Sequence, residues 1–424
     1  MIVATRLWRN SLFYLGILVF QTAFLEAMVW DNRYFPWFNH LYTGTDSRRP
    51  FMDGQVFFIT GGDAFRYQIR ANKNEQVITF PELYGELDLV PVANSIVKAG
   101  KANPIPEDWQ WLSEIKALMP ASLKGQGTML SGYVPVVPHI GVGASMLVMK
   151  LNSFVNVIPA EQAVDKLNLQ SPGNQIVFDQ TVQKIYEEID MASSSFQQVG
   201  VGDIVLYAHI YDVYEYKYKF RKLDWGVWAG IVIPCGLKWD PRNLASVGFG
   251  SQYSGWGWFI APRAEFELRD DLKFGIMGRL SQRLDTCFQG RIPVGKEQIL
   301  FAPLVGSVSV DQGTNFGVTS YFVFEDIRAG LGAQIQYTIN YHENDRFSAR
   351  INDIDVKANF RNMSYYSSWV QEYFTFKLFY DVAHDKDWKT KPFAYFVWDV
   401  PMNHLFGRGF AKTNKVALGC TVNF

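Results

Sequence analysis

The stretch AGLGAQIQYTINYH, residues 329–342, alternates apolar and polar or small side chains over all 14 of its positions. Successive side chains of a β-strand point to opposite faces, so this pattern predicts a strand with one apolar and one polar face. The run is longer than the roughly 5–6 residues usual for strands of globular proteins. It suits a tilted strand that crosses a bilayer, with Tyr337 and Tyr341 near the water boundary.

The end of the chain repeats this pattern. In NKVALGCTVNF, residues 414–424, the apolar face carries Val416, Leu418, Cys420, Val422 and Phe424. The opposite face carries only small or polar side chains. A soluble β-sandwich strand would fit these residues as well, but a terminal Phe424 resembles the assembly signal of outer-membrane barrels.

The composition of the whole chain favours a barrel in lipid. Aromatic residues make up 16% and charged residues 19% of the 424 residues, whereas charged residues are about 25% of typical soluble domains. The mean hydropathy is only −0.05, as expected when lipid-facing and lumen-facing residues cancel. The formal net charge of −1 gives no support for nucleic-acid binding. Composition alone is also compatible with a large soluble β-rich protein.

The first residues resemble a secretory signal. Arg6 and Arg9 precede the apolar run 11–25, and small residues follow up to Ala27. A basic head, an apolar middle and a small-residue cleavage site predict a signal peptide over residues 1–27. A retained membrane anchor is the alternative, although the run is short for a spanning helix.

Two adjacent runs, 257–269 and 272–285, read as a hairpin with charges on one face. Inside a membrane barrel these charges would line the lumen, and opposite signs on neighbouring strands would pair. On a soluble sandwich they would face water. We therefore predict a lumen-facing charged ladder of Arg263, Glu265, Glu267, Lys273, Arg279 and Arg283.

The same alternation marks thirteen runs in all. A closed bacterial barrel normally has an even number of strands, so the sequence predicts an all-β, transmembrane antiparallel β-barrel of 12–14 strands. Two short connections, 310–315 and 325–328, follow each other and disturb the expected alternation of short turns and long loops. The runs are 54–66, 127–137, 140–150, 203–220, 225–235, 257–269, 272–285, 296–310, 314–325, 329–342, 365–381, 391–399 and 414–424.

Three segments do not read as strands. Residues 28–53 are rich in aromatics, precede the barrel (54–424) and are a candidate plug. Helical stripes are predicted near 106–120 and 179–192. These inserts either fill or cap the barrel, or they are ordinary extramembrane loops.

No constellation of catalytic residues stands out, and the chain is predicted not to be an enzyme. Glu265 and Glu267 lie about 7 Å apart along one strand face, but Arg263 and Arg269 flank them, which favours a neutralised ladder over a catalytic pair. The cysteines Cys235, Cys287 and Cys420 and the six histidines show no metal-ligand spacing. We expect neither a metal nor a cofactor.

A family resemblance covers residues 200 to 270. Gly200, Gly202 and Asp203 open one strand, and a second strand with Gly230 and Ile233 ends in a Pro234–Cys235–Gly236 turn. This arrangement resembles outer-membrane proteins associated with aromatic-compound catabolism, the meta-pathway family, which are similar in turn to long-chain fatty-acid transporters. Cys235 stands where threonine would be expected. The resemblance implies a barrel that is plugged from its N-terminal side and passes small hydrophobic molecules.

These observations predict a channel in a Gram-negative-type outer membrane for passive uptake of small molecules, hydrophobic or aromatic by resemblance. The alternatives are a general porin for hydrophilic solutes and a plugged barrel for structural or surface interactions. The expected partners are outer-membrane lipid, the small-molecule solute and the outer-membrane assembly machinery, which would bind the C-terminal strand.

Overall fold

The structure is a computed structural model, and it describes residues 32–36, 49–66, 78–216, 221–250, 253, 255–349, 358–384 and 386–424. The predicted signal peptide, 1–27, lies outside the described residues. Within the described ranges, no helix has both the length and the apolar content needed to cross a bilayer.

Twelve strands form a closed antiparallel barrel. Each strand pairs with the next one along the chain, and β1 closes the ring by pairing with β12 from Phe51–Asn423 to Thr60–Asn414. The predicted fold class is therefore confirmed. The strands are β1 (Phe51–Gly61), β2 (Ala121–Val137), β3 (Ile140–Val155), β4 (Ile204–Glu215), β5 (Lys222–Ile233), β6 (Gly257–Arg269), β7 (Leu272–Arg283), β8 (Asn315–Arg328), β9 (Leu331–His342), β10 (Trp369–Asp381), β11 (Lys391–Met402) and β12 (Asn414–Asn423).

The run 296–310 is not a barrel strand. Leu304–Asp311 pairs with Thr286–Ile292 and with Arg346–Ala349 in a separate three-stranded sheet outside the barrel. Alternation of period two is the same in both kinds of sheet, which is why the sequence pattern could not separate them. Removing this run turns thirteen candidates into twelve strands.

With twelve strands, short turns and long loops alternate regularly between them. The disturbed alternation expected from the sequence was therefore wrong. Segment 310–315 belongs mostly to the long connection between β7 and β8, and 325–328 is the end of β8. Short turns join β2 to β3, β4 to β5, β6 to β7, β8 to β9 and β10 to β11. Both Phe51 and Phe424 lie at this short-turn end, and the six longer connections lie at the opposite, long-loop end.

The helices lie in the long connections. They are α1 (Leu89–Lys98), α2 (Glu161–Lys166), α3 (Pro172–Glu188) and α4 (Arg361–Ser367), with 3₁₀ turns at Phe80–Tyr84, Glu107–Trp109 and Ile299–Phe301. Short strands complete the loops: Asp63–Phe65, Ile78–Thr79, Leu87–Asp88, Lys116–Leu118, Ile158–Pro159, Ser195–Val201 and Phe410–Ala411.

The helix expected over 106–120 is absent from that range, which has one 3₁₀ turn and the strand Lys116–Leu118. Part of its backbone forms strand hydrogen bonds and not helical ones, because Lys116–Leu118 pairs with Leu87–Asp88 and Ile158–Pro159. The Asp88 side chain also accepts a hydrogen bond from the backbone N–H of Ile115 at 2.9 Å. The second predicted helix exists as α3, but it begins at Pro172 and ends at Glu188, earlier than the expected 179–192.

The two faces of the strands are as predicted for β9 and β12. Ile335, Val416 and Leu418 are exposed on the outer surface, while Gln334 and Ala417 are buried on the inner surface. An apolar belt surrounds the barrel on the outside, which is the surface that a bilayer covers. It includes Met52, Val56, Phe58, Leu130, Val134, Val142, Ile210, Ile231, Ile260, Ile276, Leu280, Phe316, Phe322, Ile335, Leu378, Trp398, Val416 and Leu418.

The candidate site: a barrel lumen with two chemically different walls

The lumen is apolar on one side and polar on the other. The inner faces of β1–β5 form the apolar wall, and those of β7–β12 form the polar wall. The buried side chains of the apolar wall include Phe57, Ile59, Leu123, Met129, Leu147, Met149, Leu151, Val205, Tyr207 and Trp228. Those of the polar wall include Arg279, Ser281, Thr319, Gln334, Gln336, Thr338, Gln371, Lys377, Asp399, Lys415 and Thr421.

Four rings, which we call the ring ladder, follow one another along the apolar wall toward the short-turn end. Trp228 stacks on His209 with ring centroids 4.1 Å apart and an interplanar angle of 2°. Tyr211 follows at 5.1 Å from His209, and His139 in the β2–β3 turn follows at 6.2 Å. The Nε2 atom of His209 is buried and has no hydrogen-bond partner within the described part of the chain.

The ring ladder ends at an open groove of about 520 Å³ at the short-turn end. Its lining consists of residues 135–139 and 211–213, which are mostly apolar. His139 and Asp212 lie 3.3 Å apart there and are its hydrogen-bonding side chains besides Tyr211. The volume is within the range of roughly 300–1,000 Å³ that small-molecule sites occupy.

All six residues of the predicted charged ladder lie on the inner face of β6 and β7. Two of them form ion pairs with the strands that flank this hairpin, although Glu267 and Lys273 are opposite each other in register within it. Arg263 pairs with Asp224 of β5 at 2.9 Å, and Lys273 pairs with Glu325 of β8 at 2.6 Å. The sequence pattern placed the charges on one face but missed these flanking strands, because strand order and side-chain reach are set by the closed sheet.

The remaining ladder residues have different neighbours. Glu265 accepts a hydrogen bond from the hydroxyl of Tyr321 at 2.8 Å. The guanidinium of Arg279 lies 5.1 Å from the centroid of the Phe259 ring. These contacts brace the inner wall around β6–β8.

A second polar cluster, at β1 and β10–β12, was not singled out in the sequence. The Asp53 carboxylate accepts hydrogen bonds from the Tyr395 hydroxyl at 2.9 Å and from Thr421. Lys377 lies over the Tyr395 ring at 4.4 Å. Across the same strands, Lys415 and Asp399 form an ion pair at 2.7 Å. The signal was present for the residues of β10–β12, which lie in predicted strand runs, but Asp53 fell in segment 28–53, which was predicted to be a plug and not a strand.

Two of the residues that carry the family resemblance, Asp203 and Gly236, meet at one corner of the barrel, which we call the Asp203 corner. The Asp203 carboxylate accepts a hydrogen bond from the backbone N–H of Gly236 at 3.1 Å and pairs with Arg283 at 2.9 Å. The Arg283 and Asp203 side chains are 1% and 0% exposed. Arg283 also donates to the Gly255 carbonyl at 3.1 Å.

The local backbone explains why Asp203 points into this corner. The five residues from Val201 to Val205 face the four residues Ser145–Val148 of β3, which is a one-residue bulge, and bulges re-aim side chains. Gly250, at φ +111°, completes the corner, because a Cβ there would lie 2.7 Å from an Asp203 oxygen. Glycine is the residue that adopts this backbone conformation readily.

Residues 32–36 lie buried at the long-loop end of the lumen. The Gln371 side chain donates to the carbonyls of Asn32 and Phe35 at 2.8 and 3.1 Å. Thr413 donates to the Tyr34 carbonyl at 2.8 Å, and the Asn32 amide donates to the Gly248 carbonyl at 2.9 Å. The predicted plug segment 28–53 overlaps the barrel, since β1 begins at Phe51; residues 28–31 and 37–48 are outside the described ranges.

Packing around this segment is close. A cavity of about 20 Å³ lies between Asn32, Phe35 and the polar wall, which is room for roughly one water molecule. Residues 32–36 therefore pack closely against the polar wall at the long-loop end.

Phe424 is exposed on the outer surface at the short-turn end, and its backbone N–H donates to the Pro50 carbonyl at 2.9 Å. Among the described residues, no three His, Cys, Asp or Glu side chains are close enough together to hold a metal ion.

Comparisons with known proteins report outer-membrane barrels. An outer-membrane channel from Pseudomonas putida F1 is similar at 9% identity and a TM-score of 0.49 over 92% of this chain and 100% of that one. A FadL homologue from Pseudomonas aeruginosa is similar at 9% identity and a TM-score of 0.32, over 89% of this chain and 90% of that one. A deletion mutant of TodX, a monoaromatic hydrocarbon channel, is similar at 10% identity and 0.36, over 88% and 90%. No family model and no curated protein matches the chain. None of these similarities bears on what this chain transports.

Proposed function

We propose that this chain is an outer-membrane channel for the passive uptake of small molecules with an aromatic or otherwise apolar part. The observation that carries the proposal is the two-walled lumen. An apolar wall with stacked rings offers dispersion and stacking contacts to an aromatic solute, while the opposite wall hydrogen-bonds its polar groups. The open groove at the short-turn end provides the matching exit.

The surroundings of the barrel support an outer-membrane location. Lipid offers no hydrogen-bond partners to a backbone, so strands persist there in a closed ring, and the apolar belt fits hydrocarbon. In bacterial barrels the short turns are periplasmic, which would place the long loops outside the cell. Residues 1–27 would serve as the signal peptide, and the β12 strand ending in Phe424 would be recognised by the assembly machinery.

Planar-bilayer conductance tests the preferred solute class. We expect a small conductance that benzyl alcohol reduces and glucose does not, because the ring ladder binds flat apolar rings. Trp228→Leu should weaken the block, whereas Trp398→Leu, on the outer face, should leave it unchanged. Equal block by both solutes, or the same block in both variants, would contradict the proposal.

A general porin is the second candidate, and the largely polar wall of β7–β12 favours it. Liposome swelling separates the two functions. A porin for hydrophilic solutes would swell liposomes in arabinose or glucose at a rate that rises with protein content, and it would be indifferent to benzyl alcohol.

The N-terminal segment is proposed to restrict the lumen as a plug. Gln371→Leu removes two hydrogen bonds to residues 32–36 and should raise the conductance. Thr319→Val is the matched control, because Thr319 is also a buried polar residue of the inner wall and bonds Thr338 at 3.1 Å. Unchanged conductance in Gln371→Leu would argue against the plug and would leave the solute class untouched.

A further inference from the structure

One carboxylate lies on the lipid side of the barrel wall. Glu372 of β10 is opposite Ile339 of β9 and Met402 of β11, and it shares its face with the exposed Leu378 and Tyr380. Even so, Glu372 is 0% exposed. A charge on the lipid face of a barrel is unfavourable unless something neutralises or covers it.

The covering group is an excursion of the chain after β11. Met402 pairs with Glu372 and Arg408 pairs with Val370, so residues 403–407 are extra residues in the wall. Because they turn outward, the backbone N–H groups of His404 and Leu405 donate to the Glu372 carboxylate at 2.9 and 3.1 Å.

Two more donors complete the shell around this carboxylate. The N–H of Phe406 and the hydroxyl of Tyr337, the latter at 2.8 Å, also donate to Glu372. Hydrogen bonds to an ionised acceptor are roughly twice as strong as neutral ones. The carboxylate therefore holds the excursion against the outer wall.

The tip of the excursion is apolar and uncovered. Leu405 and Phe406 are each 58% exposed, and they continue the apolar belt formed by Tyr341, Leu378 and Trp398. Two adjacent large hydrophobic side chains that face outward from a membrane barrel belong in the boundary between headgroups and acyl chains.

We propose that residues 403–407 form a membrane-interface anchor, in which Leu405 and Phe406 insert among the acyl chains of the leaflet at the long-loop end. Glu372 is the positioning residue: it makes no contact with lipid, but it fixes the excursion in the orientation that presents both side chains to the bilayer.

Depth-dependent fluorescence quenching tests this anchor. In a background with Cys235, Cys287 and Cys420 replaced by serine, Leu405→Cys carries an NBD label in phosphatidylcholine vesicles that contain nitroxide lipids. Labels at Leu418→Cys, in the apolar belt, and at Ile176→Cys, in α3, give the lipid and solvent references. We expect quenching at 405 at least about twofold above that at 176, and stronger with a nitroxide near the headgroup than near the chain end.

Glu372→Gln should lower the quenching at 405 toward the level at 176, and Tyr337→Phe, which removes one donor, should lower it less. Heat-modifiable gel mobility identifies the folded fraction of each variant. Quenching at 405 equal to that at 176 would overturn the anchor. Unchanged quenching in Glu372→Gln would overturn the positioning role of the carboxylate.

Discussion

The Asp203–Arg283 pair should be among the most sensitive positions of the barrel. Both side chains are almost fully buried, and removing one partner of such a pair leaves an uncompensated buried charge, at a loss of about 3–5 kcal/mol. Asp203→Asn keeps an acceptor for the Gly236 N–H but removes the carboxylate that pairs with the Arg283 guanidinium. Arg283→Met removes the cation that pairs with the Asp203 carboxylate and the donor to Gly255.

The double variant should be more stable than either single variant. It removes both charges, so its loss should be smaller than that of either single variant; the lost hydrogen bond to Gly255 contributes roughly 0.5–1.5 kcal/mol to it. The double-mutant cycle should therefore yield a coupling free energy of at least about 3 kcal/mol in favour of the native pair. If the losses of unfolding free energy in the two single variants added up to the loss in the double variant, this reasoning would be refuted.

Urea unfolding in phospholipid vesicles, followed by tryptophan fluorescence and gel mobility, measures these free energies. An exposed pair gives the control: Lys166 and Glu114 lie 3.0 Å apart with side chains 41% and 39% exposed, so Lys166→Met should leave the unfolding midpoint unchanged because solvent screens the pair. A comparable loss in Lys166→Met would show that burial is not the cause.

Three further predictions concern other parts of the molecule. Gly275→Val should destabilise the barrel by about 1–3 kcal/mol, because a Cβ there would overlap the Tyr321 ring; combining it with Tyr321→Leu should recover part of the loss in the same urea assay. Ile335→Arg should lose about 2–4 kcal/mol in vesicles, and an effect below about 1 kcal/mol would contradict the lipid-facing assignment. Burial raises the pKa of Tyr186 in α3 to about 12. The stability contributed by its neutral hydroxyl is therefore present below pH 10 and is lost as the pH rises through about 12. Tyr186→Phe should remove one tyrosine from the high-pH phase of an absorbance titration at 295 nm.

The inner and outer faces of β6, β7, β9 and β12 were readable from the sequence, because successive side chains of a strand point to opposite faces. The lipid-facing side of β9 and β12 was predicted residue by residue. The two-residue period does not show which sheet a strand belongs to. Leu304–Asp311 alternates like a barrel strand although its partners lie outside the barrel. The lengths of the connections show which runs belong to the barrel, but only once the short turns at one end of the barrel have been identified.

The contacts of the lumen were harder to predict than its lining. The inward direction of Arg263 and Lys273 follows from alternation, but their partners Asp224 and Glu325 are on the flanking strands and depend on the side-chain conformations. Asp203 was noted in the sequence only as part of a turn motif. Its pairing with Arg283, 80 residues away, depends on a bulge and on the barrel closing.

The asymmetry of the lumen constrains how such a channel can open. An aqueous pore across the whole cross-section would expose the apolar wall, and each large side chain of the type of Leu123 or Met149 would lose about 1.5–3 kcal/mol of burial. Opening confined to the polar wall avoids this loss, since Gln336 and Thr338 there exchange protein hydrogen bonds for water at little net change. A path between residues 32–36 and the polar wall therefore opens at the smaller cost in free energy. On that path a solute keeps one side against the Phe35 ring and the other against amides and hydroxyls of the polar wall, which is the selectivity expected for molecules with an apolar and a polar end.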